Sequence, residues 1–135
     1  MLHLRGDVRL AGLDFGGEGP AAVLLHGLAG YAGEWAATAR WLTGRCRVVA
    51  LDARGHGRSE RRPADVSRAA HVGDGAFAIE SLGLGPAIVV GQSLGGQTAL
   101  LLAANVRTSF AASSSPTPAR AASTTKPPSR PMSTT

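Results

Sequence analysis

The chain has 135 residues, which allows one domain with a core of useful size. A hydrophobic content of 44% against 17% charged residues excludes a wholly disordered or fibrous protein. The net charge of +5 raises nucleic acid as a partner, but the unbalanced cations Arg107, Arg120, Lys126 and Arg130 are scattered, with only Phe110 as an aromatic neighbour, so no nucleic-acid binding is expected.

In chain order, Met1 to Asp7 lacks an apolar core of signal-peptide length, and no later segment approaches a membrane span of roughly 20 apolar residues. A cytoplasmic protein without membrane partners is the expectation. Leu2 to Phe15 alternates loosely and predicts a hairpin closing at Gly16-Gly17-Glu18-Gly19-Pro20. Ala21 to Leu25 is a short apolar run that reads as a strand buried on both faces. Tyr31, Trp35, Ala39 and Leu42 share one face of a predicted helix, which Gly44 ends. Cys46 to Leu51 predicts a second buried strand. Its cysteine is the only one, so no internal disulfide forms, and a buried structural thiol in a reducing compartment is the reading.

Residues 60–66 read as a loop, and Ser67 to Leu84 as a helix weakened by Gly73 and Gly75, with Val72, Ala76, Ile79 and Leu82 along one side. His71, near Asp74 on that helix, reads as a solvated surface residue, and His3 has no partner at motif spacing. Ala87 to Val90 is a third buried strand, followed by a helix from Leu94 to Ala104. Strands alternating with helices at this spacing predict an α/β fold with a doubly wound, mostly parallel sheet. From Arg107 onward the chain is almost wholly Ser, Thr, Pro and Ala, without glycine. That composition predicts a disordered tail over 106–135 behind a domain spanning 1–105.

Three loops carry the chemistry. Gly91-Gln92-Ser93-Leu94-Gly95-Gly96 joins a buried strand to a helix, with small residues on either side of the serine. A serine at such an apex is forced into a strained backbone conformation that lifts its hydroxyl clear of the sheet, the geometry of a nucleophile elbow. The competing reading is an ordinary serine N-cap. His26-Gly27-Leu28 ends the first buried strand, where a backbone N–H can face a developing oxyanion. His26 itself reads as organising the loop rather than as a base. Asp52-Ala53-Arg54-Gly55-His56-Gly57-Arg58-Ser59 lacks the Gly-Lys-Ser/Thr ending of a phosphate loop and reads as a rigid turn fastened by Asp52, Arg54 and His56. No Cys/His cluster has metal-ligand spacing, so neither metal nor cofactor is expected.

These motifs, in this order, resemble the N-terminal part of an α/β-hydrolase fold protein of the esterase, haloperoxidase-like and lipase-like branch. The resemblance covers residues 1–105. It implies Ser93 as nucleophile, the backbone N–H groups of Leu28 and Leu94 as oxyanion hole, and a small-molecule substrate with an ester-like bond. It also implies a later acid and a late histidine, yet no Asp, Glu or His follows Ser93 in this chain. The tail has the composition of a GC-rich gene read in a shifted frame. Two readings therefore stand: a serine hydrolase by lineage, shortened and inactive, or a non-catalytic fragment or binding protein. In either case strand 87–90 is expected to be an open edge through which the chain self-associates.

Overall fold

The computed structural model describes residues 1–105; the disordered tail expected over 106–135 lies outside the described residues. Strands β1 (Leu2–Arg5), β2 (Arg9–Gly16) and β3 (Ala21–Leu25) come first. A 3-10 turn (Ala32–Trp35) leads into helix α1 (Ala36–Leu42), then strand β4 (Arg47–Asp52), helix α2 (Arg68–Ser81), strand β5 (Ala87–Gly91) and helix α3 (Leu94–Asn105). The five strands form one mixed sheet in the order β1-β2-β4-β3-β5. β3 pairs in parallel with β4 and β5, whereas β1–β2 and β2–β4 are antiparallel. This is the expected α/β fold as far as the described residues extend.

Period-two alternation in the central strands builds a core on each face. Val23 and Leu25 of β3 and Val49 and Leu51 of β4 pack with Ala78 and Ile79 of α2 and Ala99 and Leu102 of α3. Leu24, Val48 and Ala50 point the other way, against Ala32 and Ala39. A strand covered on both faces cannot alternate with polar residues, which is why these segments are continuous apolar runs.

Several expectations change. The hairpin turns at Gly6 to Val8, where the Gly6 N–H donates to the Val8 carbonyl at 3.2 Å, and not at residues 16–20. Gly16, Gly17 and Gly19 instead carry the chain from β2 to β3 at φ values of 81°, 93° and 115°. A side chain on Gly17 would meet the Cys46 and Thr43 carbonyls, so that crossing demands glycine. Tyr31 lies outside the helical face and is exposed, while Trp35 and Leu42 pack as expected. Cys46 is a free thiol that is half-buried rather than fully buried. His71 is buried, at 8% exposure, because it shares the inward face of α2 with Gly75, Ala78 and Ile79. α2 itself starts at a Ser67 cap whose hydroxyl accepts from the Ala70 N–H at 3.2 Å. No described helix is long and apolar enough to cross a membrane.

Candidate active site

β5 feeds straight into α3 through Gln92 and Ser93. The Gln92 N–H donates to the Leu25 carbonyl at 3.1 Å, pinning the turn to the end of β3. The Gly95 N–H donates to the Gln92 carbonyl at 2.9 Å, and the Gln97 N–H to the Ser93 carbonyl at 3.0 Å, so the helix begins at once. Ser93 is exposed and has φ 52°, a left-handed conformation that costs an L-residue about 1–2 kcal/mol. The surroundings impose it. A Cβ on Gly91 would strike the backbone of Gly95, and one on Gly95 would run into the Leu25 carbonyl and lie 2.6 Å from that of His26. Gly96, the next residue, is also buried. The Ser93 hydroxyl makes no hydrogen bond within the described residues, so it does not act as a helix cap there.

The loop after β3 abuts this apex. A Cβ on Gly27 would lie 3.3 Å from that of Ser93 and 3.2 Å from the Gln92 carbonyl. The Gly30 N–H donates to the Gly27 carbonyl at 3.0 Å, folding the loop over Leu28 and Ala29. The N–H groups of Leu28 and Leu94 donate to nothing within the described residues. Both residues line one surface groove of about 430 Å³.

The two histidines beside the apex have no free nitrogen. His26 is buried; its Nε2 accepts from the Ala53 N–H at 2.9 Å, which leaves the proton on Nδ1 to donate to the Gly27 carbonyl at 2.7 Å. Burial holds its pKa below the usual histidine value. His56 repeats the pattern, accepting from the Ala29 N–H at 3.3 Å and donating to the Arg54 carbonyl at 3.0 Å. The two rings lie 5.1 Å apart. They tie the loops after β3 and β4 together.

The Asp52 to Ser59 turn is likewise committed to structure. The Asp52 carboxylate accepts from the Ala32 N–H at 2.7 Å and the Arg58 N–H at 3.1 Å, and it fills the space that a side chain on Gly57 would need. Gly55 and Gly57 have φ values of 81° and 52°. Arg54 is buried and grips Asp74 of α2 in a bidentate pair, Nε to Oδ2 and Nη2 to Oδ1, both at 2.7 Å. That hydrogen bonding raises the Arg54 pKa. Buried Ser59 accepts from the Ala11 N–H at 2.9 Å and donates to the Asp52 carbonyl, fastening the turn to β2.

Asp74 and Ser59 were not singled out by sequence reasoning, since neither has a chemical signature until the fold brings its partner near. His71 is the larger omission. It borders both the groove and an inner cavity of about 30 Å³ behind Leu94 and Gly95, room for about one water. Burial lowers its pKa, and its ring makes no hydrogen bond within the described residues. Among the described residues no imidazole or carboxylate is hydrogen-bonded to Ser93, and no three His, Cys, Asp or Glu cluster as a metal site would require.

Comparison with known proteins agrees with this geometry. Over 87 residues the chain is 45% identical to the sn-1-specific diacylglycerol lipase ABHD11 of Mus musculus, matching 62% of this chain and 28% of that protein. It is 38% identical over 91 residues to protein phosphatase methylesterase 1 of Bos taurus, with 63% and 24% covered. In structure it superposes on E-2-(acetamidomethylene)succinate hydrolase with a TM-score of 0.74 and 28% identity, over 81% of this chain and 41% of that one. The chain thus spans about a quarter of the length of these two relatives. The family model for the alpha/beta hydrolase fold matches residues 20–129, a span that holds all three loops described above. With β5, the glycine-flanked Ser93 and α3 following one another inside that span, the conclusion is direct: this chain belongs to the alpha/beta hydrolase fold family.

Proposed function

We propose that this chain carries the nucleophile and oxyanion-binding half of a serine hydrolase acting on an ester-like bond of a small molecule. One observation supports this above the others: an exposed Ser93 held at φ 52° whose hydroxyl, like the nearby Leu28 and Leu94 N–H groups, has no hydrogen-bond partner among the described residues. In the proposed step Ser93 Oγ bonds to the acyl carbon and its proton passes to solvent water, while the C=O π pair moves to the carbonyl oxygen, whose negative charge faces the Leu28 and Leu94 N–H groups. Each such donor is worth about 3 kcal/mol in the transition state. His26 and His56 cannot take the proton while both ring nitrogens are bonded. Turnover by this chain is therefore expected to be low, and capture at Ser93, in which the Oγ proton leaves to solvent with the displaced fluoride, is accelerated only by the oxyanion site. The commitment of both nitrogens of His26 and His56 to backbone groups favours a second reading, a non-catalytic binding protein of hydrolase descent.

Prolonged incubation with an alkyl fluorophosphonate, followed by peptide mass spectrometry, separates them. Phosphonylation of Ser93 at least about a hundredfold faster than of the chain's other serines is expected, and none at position 93 in Ser93→Ala. Equal labelling of all serines would remove the hydrolase reading. Fast, saturable, Ser93-dependent hydrolysis of p-nitrophenyl acetate would place a base within this chain, and His71 would be the first to replace.

A further inference from the structure

The groove that Leu28 and Leu94 line reaches the elbow at Leu94, the residue after Ser93, and runs from there to the turn after β4. The Ala29 N–H donates to His56 Nε2 at 3.3 Å, which joins the loop after β3 to the turn that holds Gly55. Gly55, at φ 81°, donates its N–H to the Glu60 carbonyl at 2.7 Å, folding the segment after Ser59 back on the turn. The Arg61 carbonyl and the Pro63 ring then stand 3.8 and 4.0 Å from where a Gly55 Cβ would be. The far wall is therefore the Arg61-Arg62-Pro63 segment, and the near end is the elbow.

Charge along this wall is one-sided. Arg54 also borders the groove, but its guanidinium is fully engaged by Asp74 and by the Asp65 carbonyl at 2.8 Å. Arg61 and Arg62 are exposed, and among the described residues they form no ion pair and no Asp or Glu lines the groove. Beside His56 and His71 the lining carries apolar side chains: Leu28 is 75% exposed and Val66 65% exposed, and both border the same space. Solvated arginines and single exposed apolar side chains are each ordinary on a protein surface. Here they meet in one concavity of ligand size, about 430 Å³, whose lining includes Leu94, the residue next to the serine.

We propose that this groove selects substrates that combine an apolar chain with an anionic group, a carboxylate or a phosphate, the anion meeting Arg61 and Arg62. The inference rests on the hydrolase reading only for the chemistry at Ser93; the anion preference stands on the groove itself. Two guanidinium groups hydrogen-bonded to one anion strengthen its binding by about tenfold.

The test is isothermal titration of the full chain with octyl phosphate, octanoate and uncharged octyl glucoside. Both anions are expected to bind at least about tenfold tighter than the glucoside, and the stronger of the two identifies the head group. In Arg61→Gln/Arg62→Gln that preference falls to about twofold or less. Arg40→Gln/Arg45→Gln removes the same net charge outside the groove and leaves the preference intact. Equal loss in the two double variants, with melting temperatures unchanged, would mean that net charge alone attracts the anions and would overturn the proposal, as would equal binding of all three ligands. Octyl phosphate should also slow phosphonylation of Ser93 in the native chain and not in Arg61→Gln/Arg62→Gln; no protection would sever the groove from the serine. Selective anion binding without preferential Ser93 labelling keeps the groove and removes the hydrolase reading. Preferential labelling without anion selectivity does the reverse.

Discussion

The imidazole of His26 works because it is neutral, and that gives the protein a pH dependence with a defined sign. Burial lowers its pKa from the ordinary 6.5, and the same holds for His71. Above that value both rings are neutral in folded and unfolded chains alike. Below it the unfolded chain binds protons that the folded one refuses, so stability falls as the solution is acidified. The melting temperature is expected to drop between about pH 7 and about pH 5. His26→Asn, which keeps a donor near the Gly27 carbonyl but orphans the Ala53 N–H, should cost about 1–3 kcal/mol at neutral pH and flatten the slope. An unchanged slope would relocate the titrating group. At this scale the sequence was legible where a residue announces its chemistry by its neighbours, as Ser93 does between glycines. His71 was misread because Gly73 and Gly75 dilute the apolar periodicity of α2. The 71, 75, 78, 79 spacing of one helical face was nonetheless present in the chain.

Among the elements, strands β3, β4 and β5 were readable to within a residue, since each leaves a short continuous apolar run; β3 and β4 are buried as expected, whereas β5 is only partly buried over Ile88 to Val90. The hairpin was not. Its true turn at Gly6 is short and contains Asp7 and Val8, whereas the glycine cluster at 16–19 imitates a hairpin loop while serving a crossover. The glycines within helices separate cleanly by what surrounds them. Nothing lies within 4 Å of a Cβ placed on Gly73, so Gly73→Ala should stabilise α2 by up to about 1 kcal/mol. Gly95→Ala meets the backbone of Leu25 and His26, which cannot yield as a flexible side chain would, and should cost about 1–3 kcal/mol or more. Thermal unfolding of the two variants checks both signs, and a stabilised Gly95→Ala would contradict the close packing of α3 on β3.

For the molecule as a whole, β5 has a single strand neighbour among the described residues, β3, and Ile88, Val89 and Val90 are only partly buried. An apolar strand with unpaired backbone groups and no charge or proline of its own is a template for another chain. Concentration-dependent association of the full chain is the expected outcome in light scattering; a monodisperse monomer across a tenfold or so concentration range would mean that this edge is covered. The edge also has an internal counterpart in β3, every residue of which is buried. Because Val23 and Leu25 belong to one core and Leu24 to the other, β3 is a party wall: neither helical layer can lift away without exposing a strand on which the opposite layer depends. Partial openings that shed one layer and keep the rest are thereby disfavoured. Ser93 is pinned to the end of this same strand through the Gln92–Leu25 bond, so its strained geometry is lost together with the fold and not ahead of it.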